Sequence, residues 1–134
     1  AFSYLETNVK ENNSSVKPVM ADALEICETF ADGELDLIVS NPPYIKSADI
    51  ETLQKEVRLE PRLALDGGED GCDFYREIVS RWSRKLKKGG ALAFELGENQ
   101  ADAVKALMTD KGFSDFKISL DFGGVQRAII GTLL

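Results

Sequence analysis

The stretch that most constrains the fold is an apolar run that stops abruptly at two prolines. Leu, Ile and Val fill most of residues 35–39, and Ser40-Asn41-Pro42-Pro43-Tyr44 follows directly. A short run of this kind, interrupted only by Asp36, is typical of a buried strand. The prolines end it, because each lacks a backbone N–H and fixes φ at about −65°. We therefore predict that Asn41 lies at the carboxyl end of a central strand, where open α/β sheets place their ligand sites.

Hydrophobic periodicity divides the rest of the chain into alternating helices and strands. The stretch at 45–71 is irregular, with room for a helical turn or two at 48–55, and irregular stretches of that length often belong to binding sites or lids. The pattern predicts helices over 2–9, 74–86 (ended by Gly89-Gly90) and 101–108, a short helix or loop over 23–30, and strands over 16–20, 35–40, 91–96, 116–122 and 128–134.

This order predicts an α/β fold with a doubly wound, mostly parallel sheet and helices on both faces. The last two strands are joined by too few residues for a crossover, so they should form an antiparallel hairpin. The pattern opens with a helix that ought to follow a strand, and we expect the first strands of the sheet to be missing from this chain. The central strand would then have an unpaired edge, through which we expect self-association.

Composition excludes several classes of function. The net charge is −7, and histidine is absent. The acidic balance makes nucleic acid an unlikely partner, because nucleic-acid binders usually carry a basic face. Without histidine the chain cannot build a Ser-His-Asp or Cys-His nucleophile. Cys27 and Cys72 give neither a disulfide framework nor a zinc-type cluster, so we expect no metal site and free thiols in a reducing cytoplasm.

The Asn-Pro-Pro-Tyr loop is suited to holding a planar amino or amide group. Asn41 Oδ1 can accept one N–H, and the carbonyl of Pro42 can accept the second. Two acceptors fix the plane of an –NH₂ group and stabilise positive charge on its nitrogen as a new bond forms. Tyr44 can lie against the planar group and exclude water. The alternative is that these four residues only form a turn that ends the strand.

Several motifs together resemble the catalytic domain of the HemK-type glutamine methyltransferases. The matching residues are Asn41-Pro42-Pro43-Tyr44-Ile45, Glu56-Val57, Glu60-Pro61, Ala64-Leu65, Gly67-Gly68, Asp70-Gly71, Tyr75-Arg76-Glu77-Ile78, Gly89-Gly90, Glu95, Gly97, Gln100, Asp121, Gly124 and Arg127. The resemblance implies a class I, Rossmann-like methyltransferase fold. It also implies transfer of a methyl group from S-adenosylmethionine to the glutamine amide in the Gly-Gly-Gln loop of peptide chain release factors.

The same resemblance assigns roles to individual residues. Asn41 and Pro42 would be the catalytic pair that holds the glutamine amide, and Pro43 and Tyr44 would complete the substrate site. Asn41 would also lie close to the cofactor. Asp22 and Ala23 would contact the adenine of S-adenosylmethionine, although an Asp after a strand is more often a helix cap or part of a solvated turn.

The chain departs from the family pattern on the cofactor side. No counterpart is visible for the family's glycine-rich loop, for its ribose-binding acidic residue or for its amino-terminal helical domain. We therefore expect residues 1–134 to be a partial catalytic domain that is inactive alone. Two alternatives remain open: an amino-group methyltransferase acting on rRNA or DNA bases, and a non-catalytic binding domain that keeps the fold.

Two carboxylates near the motif have ordinary structural interpretations. Glu95 lies inside a predicted strand, where we expect its carboxylate to bond to nearby backbone or to Arg127. Glu60 could hold a substrate loop or could be a solvated loop residue.

Overall fold

The computed structural model describes residues 1–134, and its centre is a four-stranded mixed sheet. The strands are β1 (Leu35–Ser40), β2 (Leu86–Glu95), β3 (Phe113–Leu120) and β4 (Gln126–Leu133), in the spatial order β1-β2-β4-β3. β1 pairs with β2 in parallel, whereas β4 is antiparallel to both β2 and β3. The strand predicted at 35–40 and the closing antiparallel hairpin are confirmed, but within this sheet β1 is an edge strand, and only its pairing with β2 is parallel.

The chain also forms four α-helices and five short 3₁₀ helices. The α-helices are α1 (Phe2–Glu11), α2 (Ala23–Ile26), α3 (Asp73–Trp82) and α4 (Ala101–Asp110). The 3₁₀ helices are Cys27–Thr29, Ser47–Thr52, Val57–Leu59, Arg62–Ala64 and Ser83–Lys85. None of the helices is long and apolar enough to cross a lipid bilayer.

The hydrophobic core lies on one face of the sheet. Leu92 and Phe94 of β2 point into it, and α3 and α4 pack over them through residues at helical spacing. Tyr75 is fully buried and meets Phe94 edge-on, with ring centroids 5.2 Å apart. Cys72, which directly precedes α3, is buried in the same core.

The opposite face is open along β1. Leu37 and Val39 pair with Ala91 and Ala93 of β2 and are 54% and 69% exposed. Among the paired strands, β1 lies at the edge of the sheet, so its outer backbone groups have no strand partner. The pattern predicts helices on both faces, but in this chain α3 and α4 both pack on the core face, and α1 buries none of its residues.

Two expectations about the elements are wrong. Residues 16–20 form no strand: they have no pairing partner, and all except the half-buried Pro18 are exposed. Pro18 supplies no backbone N–H for a ladder, and Val16 and Val19 are three residues apart, so they lack the period of two that one face of a strand needs. Gly89-Gly90 lie within β2 and do not end α3, because the chain passes from the 3₁₀ helix Ser83–Lys85 directly into the strand at Leu86.

Side chains at the end of α3 anchor the segment that precedes β1. The Trp82 indole N–H donates to the carbonyl oxygen of Ala23 (2.9 Å). The buried Lys85 ammonium donates to the carbonyl of Phe30 (2.7 Å) and to Asp32 (2.8 Å). These bonds hold residues 23–32 against the end of α3 and the 3₁₀ helix that follows it. Among residues 1–34, only Cys27 is buried.

Candidate active site

The Asn-Pro-Pro-Tyr loop leaves the carboxyl end of β1 beside the end of β2. Parallel pairing aligns Ser40 with Phe94, so Asn41 emerges next to Glu95, the last residue of β2. Beyond the prolines, Ile45 bridges to Asp66: its N–H donates to the carbonyl of Leu65 (3.0 Å), and its carbonyl accepts from Gly67 (2.8 Å). The loop is therefore held between the sheet and the 65–71 segment.

A cleft of about 280 Å³ opens over this loop. Pro42 is buried at its floor, whereas Asn41 is exposed. Neither the Asn41 side-chain oxygen nor the Pro42 carbonyl accepts a hydrogen bond from the chain, so both acceptors are free. The lining residues are Asn41, Pro42, Tyr44, Ile45, Val57, Glu60, Ala64, Leu65 and Glu95.

The side chain of Tyr44 is fixed by a carboxylate on β2. Its hydroxyl donates to Glu95 Oε1 (2.9 Å), and burial together with this bond raises the pKa of Tyr44. Tyr44 therefore stays protonated near neutral pH. The expected partners of Glu95 are wrong, since Arg127 instead donates to Asp121 (2.9 Å) in the β3–β4 turn. The aspartate satisfies that turn and engages the arginine, which leaves Glu95 to the tyrosine.

Comparison with known proteins identifies relatives of the chain. No family model matches the chain. The release factor glutamine methyltransferase of Geobacter sulfurreducens is 50% identical over 107 residues, which cover 79% of this chain and 38% of the relative. By sequence, this chain is a relative of the release factor glutamine methyltransferases. The resemblance noted from the motifs is confirmed, and the chain spans well under half the length of that relative.

Solved structures show the same fold. A methyltransferase from Pyrococcus furiosus matches with a TM-score of 0.69 at 23% identity, covering 98% of this chain and 56% of the other. The release-factor-specific protein-(glutamine-N5) methyltransferase from Alicyclobacillus acidocaldarius matches with a TM-score of 0.50 at 28% identity, covering 82% and 54%. The predicted class I, Rossmann-like methyltransferase fold is confirmed.

Of the substrate residues that the family resemblance assigns, three line the cleft and one does not. Asn41, Pro42 and Tyr44 face it. Pro43 instead lies against Gly67, where an added Cβ atom would come within 2.9 Å of the Pro43 carbonyl oxygen. Pro43 therefore supports the loop from behind. Glu60 lines the cleft with its carboxylate free of any ion pair in the chain.

The residues assigned to the cofactor lie apart from this cleft. Asp22 Oδ1 accepts the N–H of Leu24 (2.7 Å) and caps α2, which is the alternative interpretation of this position. The Ala23 carbonyl accepts a hydrogen bond from the Trp82 indole. Asp22 and Ala23 are both exposed. Neither lines the cleft, and their contact with S-adenosylmethionine stays a prediction. No group of His, Cys, Asp and Glu side chains is arranged to hold a metal ion.

Two buried residues around the loop have no role in the sequence interpretation. Tyr75 and Gln100 both counted there only as matches to the family's motifs. The structure makes both hydrogen-bond partners of the loop region: the Tyr75 hydroxyl donates to the backbone of Glu95 (2.9 Å), and Gln100 donates to the Tyr44 carbonyl (2.9 Å). The available clue was a glutamine three residues after Gly97, at the start of a helix.

Proposed function

We propose that residues 1–134 form part of the catalytic domain of a glutamine methyltransferase and supply its amide-binding half. The reaction would move the methyl group of S-adenosylmethionine to the side-chain nitrogen of the glutamine in a release factor's Gly-Gly-Gln loop. The free acceptor pair of Asn41 and Pro42 carries this proposal. The identity to named release factor glutamine methyltransferases supports the substrate.

The acceptor pair suits an amide nitrogen that must react. Each N–H of the glutamine –NH₂ group would donate to one acceptor, Asn41 Oδ1 or the Pro42 carbonyl. Positive charge grows on that nitrogen as it forms its new bond, so both hydrogen bonds strengthen in the transition state. The Tyr44 ring closes one side of the cleft and keeps water away. One proton of the nitrogen then leaves to solvent.

The charge of the cleft fits the cofactor. S-adenosylmethionine, when bound, supplies a methyl group on a positively charged sulfur. No lysine or arginine lines the cleft, and the carboxylates of Glu60 and Glu95 both do. A cleft with free acceptors and two carboxylates tolerates a cation at its mouth. We propose that Asn41 borders the cofactor and that Asp22 and Ala23 approach its adenine from the start of α2.

The proposed partners and setting follow from the same assignment. A release factor is the partner that carries the glutamine, and the site of the reaction would be the cytoplasm. We also propose that the open edge of β1, with Leu37 and Val39 exposed, makes the 134-residue chain self-associate. Size-exclusion chromatography should show a species larger than a monomer, and Val39→Lys should shift it toward the monomer. A clean monomer at high concentration contradicts this part.

A labelling experiment tests the function. The full-length protein is incubated with methyl-labelled S-adenosylmethionine and either a release factor, the same factor with its Gly-Gly-Gln glutamine changed to Asn, or rRNA. Label should enter only the release factor that keeps its Gly-Gly-Gln glutamine. Label found only in RNA would assign the loop to a nucleic-acid amino-methyltransferase. No transfer, with the cofactor bound, would leave a binding domain.

A further inference from the structure

The amide side chain of Gln100 lies buried behind the acceptor loop (residues 41–44). Gln100 is 8% exposed and stands at the start of α4. Its Nε2 donates to the carbonyl oxygens of Tyr44 (2.9 Å) and Gly71 (3.3 Å), and its Oε1 accepts from Gly97 N–H (3.0 Å). Oε1 also lies 3.2 Å from the Tyr75 hydroxyl, whose single proton is shared with the nearer Glu95 carbonyl. Both N–H donors of the amide are therefore used, and its oxygen accepts at least one hydrogen bond.

Glycines let the backbone close around this amide. A Cβ at Gly71 would lie 2.5 Å from Gln100 Nε2 and 2.5 Å from the Tyr44 carbonyl oxygen. A Cβ at Gly97 would lie 2.5 Å from Gln100 Oε1. Both distances are far inside van der Waals contact, so only glycine permits the approach. The loop, the 65–71 segment and the end of β2 thus meet at one side chain.

Tyr44 is consequently held at both of its ends. Gln100 binds its carbonyl, and Glu95 binds its hydroxyl. Tyr75 joins the two anchors, since its hydroxyl lies within hydrogen-bond distance of the Glu95 carbonyl and of Gln100 Oε1. The rigid φ of Pro43 leaves few soft torsions between the Tyr44 carbonyl and the Pro42 carbonyl. Movement at Tyr44 is therefore passed to the acceptor pair.

We propose that Gln100 is a positioning residue that sets the spacing of the two amide acceptors, Asn41 Oδ1 and the Pro42 carbonyl. This inference rests on the proposed function, because the acceptors matter only if an amide or amino group binds there. Gln100 touches neither substrate nor cofactor in this scheme. It acts through Tyr44, and a displacement of the acceptors by about 1 Å is enough to lower turnover about 100-fold.

The decisive variant is Gln100→Glu in the full-length protein. It keeps the size of the side chain and the acceptor oxygen for Gly97 and Tyr75, but it turns a carboxylate oxygen toward the carbonyls of Tyr44 and Gly71. We expect kcat for release-factor methylation to fall about 100-fold near neutral pH, with KM for the methyl donor changed less than about threefold. Gln126→Glu, which adds the same charge at an exposed position of β4, should keep wild-type kcat.

Acid should partly rescue the Gln100→Glu variant. A neutral carboxylic acid carries one O–H, which can donate to the Tyr44 carbonyl as the amide does. The ratio of variant to wild-type kcat should therefore rise as the pH is lowered. Gln100→Leu, which has no donor at any pH, should show no such rise. Equal pH profiles for the two variants would contradict a role for the hydrogen bond that residue 100 donates.

Hydrogen exchange gives a readout that needs no activity. In Gln100→Glu the amides of Ile45 and Gly67, which bond across the loop, should exchange at least about tenfold faster. Leu92 in the middle of β2 should keep its protection, which shows that the variant is folded. Unchanged exchange at Ile45 and Gly67 would overturn the inference, as would loss of protection throughout the chain.

The Asn41→Ala variant distinguishes failure of the proposed function from failure of the positioning role of Gln100. If Asn41→Ala abolishes turnover and Gln100→Glu does not, the proposed function stands and the positioning role is wrong. If Asn41→Ala keeps its turnover, the acceptor pair has no function in the reaction, and both proposals fall together.

Discussion

The acceptor loop and the segment at residues 1–34 are held to the fold in opposite ways. Tyr44 is fixed at its carbonyl by Gln100 and at its hydroxyl by Glu95, both of which lie on or beside the sheet. Residues 1–34 bury only Cys27, and they are held mainly by surface hydrogen bonds and ion pairs from Trp82, Arg84 and Lys85. The proposed substrate side is therefore held by buried groups within this chain, whereas the proposed cofactor residues Asp22 and Ala23 lie in a segment that packs little of its surface against the core.

The difference matters because, under the proposed function, the two sets of residues would do different chemical work. A pair of amide acceptors stabilises a transition state only if its geometry is fixed before the substrate arrives. An adenine contact adds binding energy that is much the same before and during the reaction. Rigidity concentrated at the acceptor loop is what this division of roles predicts.

Replacing one residue from each half should give the largest contrast. In the full-length protein, Asn41→Ala removes one of the two acceptors, and turnover should fall about 100- to 1000-fold. Asp22→Ala should change turnover less than about tenfold and act mainly on KM for the methyl donor, with about 1 kcal/mol of stability lost with the α2 cap. Steady-state kinetics with a release factor measures both. Equal losses of kcat would remove the distinction between the halves.

Two glycines of similar backbone conformation sharpen the comparison. Gly71 and Gly33 have φ of +78° and +71°, so alanine at either costs about 1–2 kcal/mol of backbone strain. Gly71→Ala adds a collision with Gln100 and Tyr44, while nothing lies within 4 Å of a Cβ at Gly33. We expect Gly71→Ala to lower the free energy of unfolding by about 2 kcal/mol more than Gly33→Ala. Denaturant titration of each variant measures this, and equal losses would contradict the close packing behind the loop.

The smallest expected effect is a loss of stability in acid, through Asp70 in the segment that packs against the acceptor loop. The Arg76 guanidinium and the Cys72 N–H hold the pKa of Asp70 down, to about 2. Because this folded-state pKa lies below the unfolded value, the stabilisation is present above about pH 4 and is lost as pH falls toward 2. Thermal unfolding from pH 5 to 2 should show a shallower decline for Asp70→Asn than for wild type. Arg76→Gln should flatten the profile in the same direction, and parallel profiles for all three would refute the assignment.

The sequence was sufficient for the parts of the fold that depend on local pattern. An apolar run ended by prolines predicted β1 and the position of Asn41, and alternation predicted the β3–β4 hairpin, although both strands begin and end a few residues from the expected bounds. The acceptor loop was predictable because its chemistry is carried by contiguous residues.

Long-range pairing explains what the sequence could not supply. The valines of 16–20 have strand composition but no partner strand, and β-structure needs the partner. Glu95 had two plausible partners in sequence, and only the folded hairpin shows that Asp121 takes Arg127. Gln100 lies 56 residues from the carbonyl it binds, a separation that no local pattern reports.

The two buried cysteines divide between the two regions compared above. Cys27 is the buried residue of the 1–34 segment, and Cys72 follows Gly71, which packs on Tyr44; burial raises the pKa of the Cys72 thiol. Neither is bonded to the other, so a thiol reagent can modify each only when its surroundings open. The native chain thus contains one reporter in each half. Their relative alkylation rates measure directly how often the weakly anchored segment opens while the acceptor loop stays closed.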